Sequence, residues 1–259
     1  MSILPFLDVA CVIGPYVNPE SPPGYEGTAA GLVRKMDELG IAEACPSSIT
    51  ASFYCVDEGN RELLQAIEPY PQLHAAWLVA PHHTGEMLRA DQLLARMASG
   101  MSLAKIYVDE TNFYSTVLDL DIYAEVLDAL AASRTPLLLD YTNFTHEQTF
   151  TLRTLLARWP QLPVLLKFPK VANEERVLYY LWEKFENLHV VLSGYQLLGG
   201  IEKAVARFGA RAFVFGSNYP YFTPLQSMLH LIYSEIAEED KRLIAGDTVR
   251  GLLRKEVTA

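Results

Sequence analysis

Hydrophobic positions along the chain fall into two alternating patterns. Short, nearly continuous apolar runs occur at residues 4–12, 41–45, 74–79, 103–108, 136–141, 163–168, 188–193 and 212–216. They have the length of strands and lack the polar alternation of a sheet with one wet face, which suits parallel strands covered on both sides. Longer segments between them carry apolar residues at helical spacing, over 29–39, 58–67, 86–98, 174–185, 200–208 and 225–236. Two further segments show the helical signal well. After Asp121, the residues Ile122, Val126, Leu127 and Leu130 fall on one stripe, with Glu125 and Asp128 turned elsewhere. Thr145-His146-Glu147-Gln148 has the form of a capping box, Thr145 as N-cap and Gln148 reaching back. Two short helices, 238–245 and 247–253, follow, the second with Asp247 as its N-cap.

Eight strands alternating with helices predict an α/β chain forming a single (β/α)8 TIM barrel over residues 1–259. The competing architecture, an open doubly wound sheet, calls for a Gly-rich first turn. Val12-Ile13-Gly14-Pro15-Tyr16 contains neither GxGxxG nor GxxxxGK[ST]. The chain has no internal repeat and no linker, and the Pro/Gly-rich stretch 15–27 reads as a long loop over the barrel mouth.

Composition narrows the function classes. The chain has 259 residues, 50% hydrophobic and 20% charged, as globular proteins do. A net charge of −10 argues against a nucleic-acid partner, which needs a basic footprint. No apolar run approaches the ~18 residues that would span a bilayer. The N-terminal residues lack the basic and apolar regions of a secretory signal. Cys11, Cys45 and Cys55 are odd in number and in no metal-like spacing, which predicts reduced thiols and a cytoplasmic protein.

Several landmarks resemble the amidohydrolase-related barrels, metal-dependent hydrolases and decarboxylases of small carboxylates, lactones and amides. Leu7-Asp8-Val9-Ala10-Cys11-Val12-Ile13-Gly14 sits where that family has a strand ending in D-x-H-x-H-x-G. Asn60, Tyr70-Pro71 and Val79-Ala80-Pro81 resemble its second and third units. Phe215-Gly216-Ser217-Asn218-Tyr219-Pro220 resembles its eighth-strand signature F-G-S-D-x-P, and Gly246-Asp247-Thr248-Val249-Arg250 its closing G-N-A-x-R. The resemblance implies a barrel with its site at the C-terminal ends of the strands. It also implies where metal ligands would stand, and there the chain departs. Ala10 and Val12 replace the two first-strand histidines, Asp140 and Lys167 stand at the fifth- and sixth-strand histidines, and Asn218 replaces the eighth-strand aspartate. An amide cannot take a proton from an attacking water as that aspartate does. We therefore expect no metal and no other cofactor.

The polar residues expected at the mouth are Asp109, Asp140, Lys167 and Asn218, with Lys105 and Tyr107 deeper on the fourth strand. Asp140 and Lys167 fall at matching heights on neighbouring strands, so the lysine ammonium is expected to neutralise the carboxylate. Lys167, Asp140 and Asn218 are the candidate catalytic residues, Lys167 as base or Schiff-base nucleophile. Lys105, Tyr107, Asp109, His82 and Tyr219 are the candidate ligand-binding residues, with Lys105 anchoring an anion or a carboxylate. His82 and His83 follow the third strand, and on an extended chain they would point to opposite faces. His74, His146, His189 and His230 read as structural. Aromatics cluster on the expected mouth loops: Tyr16, Tyr25, Tyr54, Tyr107, Phe113, Tyr114, Tyr141, Phe144, Tyr195, Tyr219, Tyr221 and Phe222. A mouth of aromatic and few polar groups suits a small-molecule ligand. Three functions stay open. The first is a metal-independent hydrolase- or lyase-type barrel binding a small carboxylate, lactone or amide. The second is an inactive barrel kept for binding or assembly, with a homo-oligomer among its forms. The third is a metallohydrolase with atypical ligands such as Asp140, His82 and Asp109.

Overall fold

The computed structural model describes residues 4–16, 22–85, 87, 89–97, 102–109, 118–142, 144–168 and 175–254. Eight parallel strands form in the predicted order: β1 (Phe6–Ile13), β2 (Ile41–Ser48), β3 (Ala75–Leu78), β4 (Ser102–Val108), β5 (Leu137–Tyr141), β6 (Val164–Lys167), β7 (Leu188–Val191) and β8 (Phe213–Val214). A helix follows each of the first seven strands before the next begins. Continuous hydrogen bonding divides the strands into a pair, β1–β2, and a six-stranded sheet, β3 to β8. Two looser seams close the ring. Ala44 donates to Gln72 O at 3.1 Å and accepts from His74 N at 2.9 Å, joining β2 to the approach to β3. At the other seam Val9 N donates to Phe215 O at 3.3 Å and Val12 N to Tyr219 O at 3.0 Å.

Burial on both faces accounts for the strand sequences. One row of side chains faces the barrel axis: Leu7, Val9, Cys45, Ala76, Leu103, Leu138, Leu165, Val191 and Val214. The residues between them, such as Phe6, Trp77, Ile106, Leu139, Leu166 and Phe213, pack against the surrounding helices together with Leu127, Leu155 and Trp182. Each of these side chains, once buried, contributes about 1.5–3 kcal/mol of hydrophobic stabilisation.

Local signals set several helix ends. Thr28 caps the helix Ala29–Leu39 by accepting from Gly31 N, and Gly40 ends it at φ 72°, a left-handed conformation that a Cβ would strain. The capping box at Thr145 and Gln148 forms in both directions at the start of His146–Arg158. Gly216 is required by close approach, since a Cβ there would lie 2.4 Å from Val191 Cγ1 and 2.9 Å from Ala10 Cβ.

Three local expectations are corrected. Ile122 is 50% exposed, because Asp119 Oδ1 holds a turn at Asp121 and Ile122 and the helix starts only at Ala124. Asp247 caps nothing: a π-helical turn, Leu243–Asp247, joins the last two helices, and the carboxylate pairs with Arg250 instead. The second strand, expected over 41–45, runs on through Pro46 to Ser48. Glu86, Ala98 and Glu174, ends of predicted helices, lie outside the described residues, as do Phe113 and Tyr114. Among the described residues no helix is long and apolar enough to cross a membrane, and the three cysteines are free thiols.

Candidate active site

Two residues beyond the apolar row on β4, β5 and β6, the inward side chains become charged: Lys105 follows Leu103, Asp140 follows Leu138, and Lys167 follows Leu165. The period of two that makes a strand face the axis places all three on the same inner surface. Asp140 and Lys167 are register partners. Lys167 Nζ lies 2.5 Å from Asp140 Oδ1 and Lys105 Nζ 2.9 Å from Oδ2, so one carboxylate is gripped by two ammoniums. Lys105 also donates to Ser47 Oγ at 3.0 Å and lies 5.4 Å from the centroid of the Tyr107 ring. All three charged side chains are buried, Lys167 being somewhat the more accessible lysine: its side chain is 11% exposed against 4% for Lys105.

Burial alone would raise the pKa of Asp140, but the two lysines outweigh it and hold the carboxyl below its usual range. Lys167 moves down as well. Burial pushes its ammonium toward the neutral amine, Asp140 opposes this, and the like charge of Lys105 adds to the push. These directions agree once the sharing is counted: the carboxylate has two cations, whereas Lys167 has part of one anion.

The cluster forms the floor of a cavity of about 260 Å³. Ala10 and Val12 of β1 line one wall. A bulge in β1, where Val9 and Ala10 together oppose the single Cys45 of β2, turns Ala10 and Val12 inward. Phe53, on the short helix Ile49–Phe53 that Ser48 caps, packs on Tyr107 at 5.6 Å between centroids. Asn218, at φ 59°, adopts the left-handed conformation that asparagine tolerates and places its side chain on the rim. Tyr221 completes the wall and packs, its ring tilted, against Tyr16 of the loop after β1, at 5.7 Å between centroids. Burial, with Tyr16, Asp140 and Asp109 adding to it, pushes the Tyr221 phenol up to about 12.

The structure thus brings together Lys105, Tyr107, Asp140, Lys167 and Asn218. It does not place the other three candidates on this cavity. Asp109 accepts from the Tyr107 hydroxyl at 3.1 Å and so orients that wall. Tyr219 packs against Tyr25 outside the wall, while Tyr221 takes the lining position. His82 and His83 lie on a 3-10 turn, their rings stacked 4.5 Å apart rather than opposed, and His82 faces Glu125 at 3.5 Å. Tyr195 belongs to the outer packing layer with Trp182 and Phe213. Ser47 and Phe53 were missed as site residues, and Tyr221 was counted among the mouth aromatics without being singled out as a ligand-binding residue. For Ser47 the signal was present, two residues after the inward Cys45, had β2 been read through its proline.

The family resemblance implies a metal at these positions, and the donor set does not fit one. Ala10 and Val12 offer no lone pair, both Asp140 oxygens are taken by ammoniums, and Asn218 offers only an amide. Among the described residues no three His, Cys, Asp or Glu side chains converge as metal ligands, Asp140, His82 and Asp109 included. Asp8, at the aspartate of the first-strand motif, instead serves closure. It accepts from Ala10 N at 3.0 Å, from Ser217 N at 2.9 Å and from the Ser217 hydroxyl, and burial raises its pKa despite those bonds.

No family model and no curated protein matches the sequence. Solved structures do match the fold. A 2,6-dihydroxybenzoate decarboxylase complexed with 2,6-dihydroxybenzoate superposes with TM-score 0.74 at 14% identity, over 96% of this chain and 99% of that one. The 5-carboxyvanillate decarboxylase of Sphingomonas paucimobilis gives 0.71 at 14%, over 97% and 99%. A "probable 2-pyrone-4,6-dicarboxylic acid hydrolase" of Acinetobacter baumannii with citric acid bound gives 0.71 at 14%, over 96% and 99%. The expected TIM-barrel fold is therefore found, and its structural neighbours are amidohydrolase-type barrels.

Proposed function

We propose that this protein binds a small organic carboxylate in the barrel mouth and acts on it by metal-independent hydrolase- or lyase-type chemistry. The observation that carries this reading is the Lys105–Asp140–Lys167 cluster, two cations sharing one anion on the floor of a cavity at the barrel mouth. One positive charge is left over, and a buried charge without a counter-ion is costly. A bound carboxylate cancels it.

Lys105, fastened by Ser47 and Asp140, is a fixed cation. Lys167, the more exposed amine and one whose pKa burial lowers, is the group for proton transfer or nucleophilic attack. The faces of Phe53, Tyr107 and Tyr221 suit a flat apolar body. A volume near 260 Å³, below the ~300–1,000 Å³ typical of ligand pockets, favours a single ring. The neighbours named for 2,6-dihydroxybenzoate and 5-carboxyvanillate support the same size and charge. Free thiols at Cys11, Cys45 and Cys55 support a cytoplasmic setting.

Thermal shift with benzoate and 2,6-dihydroxybenzoate tests the binding. A ligand at ~100 times its Kd stabilises by ~2.7 kcal/mol. The wild type is expected to shift and Lys167→Met to shift much less. Equal shifts in both proteins, or none with any single-ring acid, would sink the assignment. Binding without conversion of any acid would overturn the catalytic half and leave a binding barrel.

A further inference from the structure

We propose that Lys167 is an imine-forming nucleophile and that the ligands of this cavity are carbonyl compounds carrying a carboxylate, such as keto acids or formyl-substituted aromatic acids. This rests on the carboxylate-binding reading above and specifies its substrate class.

The argument is one of charge and partners. With both lysines protonated, the cluster holds one excess positive charge in a buried place. In the empty cavity that excess charge favours loss of a proton from one amine. The geometry selects which. Lys105 Nζ is engaged by Asp140 Oδ2, by Ser47 Oγ and by the ring of Tyr107. Among the described residues Lys167 Nζ bonds only to Asp140 Oδ1. Lys167 therefore carries the free lone pair, and it is also the lysine with the greater access to the cavity. A desolvated amine beside a second cation is the setting in which lysine becomes a carbonyl nucleophile.

The step balances within these residues. The Lys167 lone pair forms a C–N bond to the carbonyl carbon as the C=O π pair moves to oxygen. Asp140 Oδ1, next to Nζ, carries one amine hydrogen to that oxygen and then the second, and the C–O bond breaks to release water. Both amine hydrogens leave on the water, and the product is a neutral imine. On taking a proton from solvent the imine becomes a cation and restores the cluster's excess charge, which the ligand carboxylate then neutralises. A keto or formyl acid thus satisfies the nitrogen and the charge together, whereas a plain carboxylate satisfies only the charge.

Borohydride trapping tests this on the intact protein. The probe is 2-formylbenzoate, with benzoate as an anion that cannot form an imine. The expected result is an adduct at Lys167 whose added mass is that of the acid less one oxygen, found by peptide mapping. It should form about tenfold or more faster than at the exposed lysines, since a desolvated amine beside a second cation is the activated nucleophile. Benzoate should suppress it, and Lys167→Arg, which keeps the charge but cannot form the imine, should abolish it. If labelling is spread over surface lysines and spares Lys167 while benzoate still shifts the melting temperature, imine chemistry is overturned and the carboxylate cavity stands. If neither adduct nor shift appears, both fall.

Discussion

Two layers of the same barrel differ by a single step of two residues. Leu103, Leu138 and Leu165 fill the lower interior, and Lys105, Asp140 and Lys167 stand directly above them on the same three strands. The backbone, the pairing and the burial are alike. The lower layer is held by dispersion and the removal of apolar surface from water, which no proton can alter. The upper layer is held by cancellation of charge, so its stability depends on which protons are present. A barrel can thus keep its architecture in one layer while placing a titrating, reactive group in the next.

The comparison breaks most severely at Asp140. Asp140→Asn leaves two buried ammoniums facing an amide, and removal of one partner from a buried charge pair costs about 3–5 kcal/mol. Chemical denaturation at neutral pH should show that loss, shrinking toward alkaline pH as an amine sheds its proton. Because the folded Asp140 pKa lies below the usual 3.8, its contribution is present above that value and lost as pH falls through the depressed one. The variant should lack that acid component; equal acid profiles would refute the charge account.

One layer down, Leu138→Ala should cost about 2–5 kcal/mol through lost contacts and a cavity. Here the expectation concerns shape rather than size. The loss should be the same across the pH range, and a pH-dependent loss would mean that the two layers are not separable.

The smallest effect on stability belongs to Lys167→Met, which leaves a neutral Lys105–Asp140 pair and should change neutral-pH stability by no more than ~1 kcal/mol, since well-packed apolar replacement of buried charge is often near neutral. Its signature is again in the pH profile. A lysine whose folded pKa lies below the unfolded 10.5 binds more protons when unfolded. Between those values the wild type should gain stability as pH rises. The methionine variant should be flat over that window; a parallel rise in both would assign the titration elsewhere.

Much of this was legible in the chain. Apolar runs gave all eight strands because burial on both faces leaves an unbroken hydrophobic record, and Asp140 opposite Lys167 followed from strand register. What escaped reading was set by tertiary context. Ser47 was hidden behind Pro46, whose turn preference the barrel overrides. Lys105 was read as anchoring an anion or a carboxylate, but its bond to the same carboxylate as Lys167 depends on the spacing of β4 and β5 around the axis, which no local pattern records. Tyr221 replaced Tyr219 because the left-handed residue Asn218 and the bend after it reset the side-chain direction. His82 and His83 stack because the chain coils into a 3-10 turn where an extended run was assumed.

The ring of strands is less a hoop than a bracelet in two pieces, with a clasp at each join. Asp8 and Ser217 fasten one. At the other, Lys105 reaches from the six-stranded piece to Ser47 on the pair. The nitrogen that completes this clasp is also the one that grips Asp140. One atom thus serves both the seam and the charge cluster, so the position is doubly constrained: exchanging Lys105 for another group would loosen a bond across the join, beside the backbone bonds of Ala44, together with one grip on Asp140.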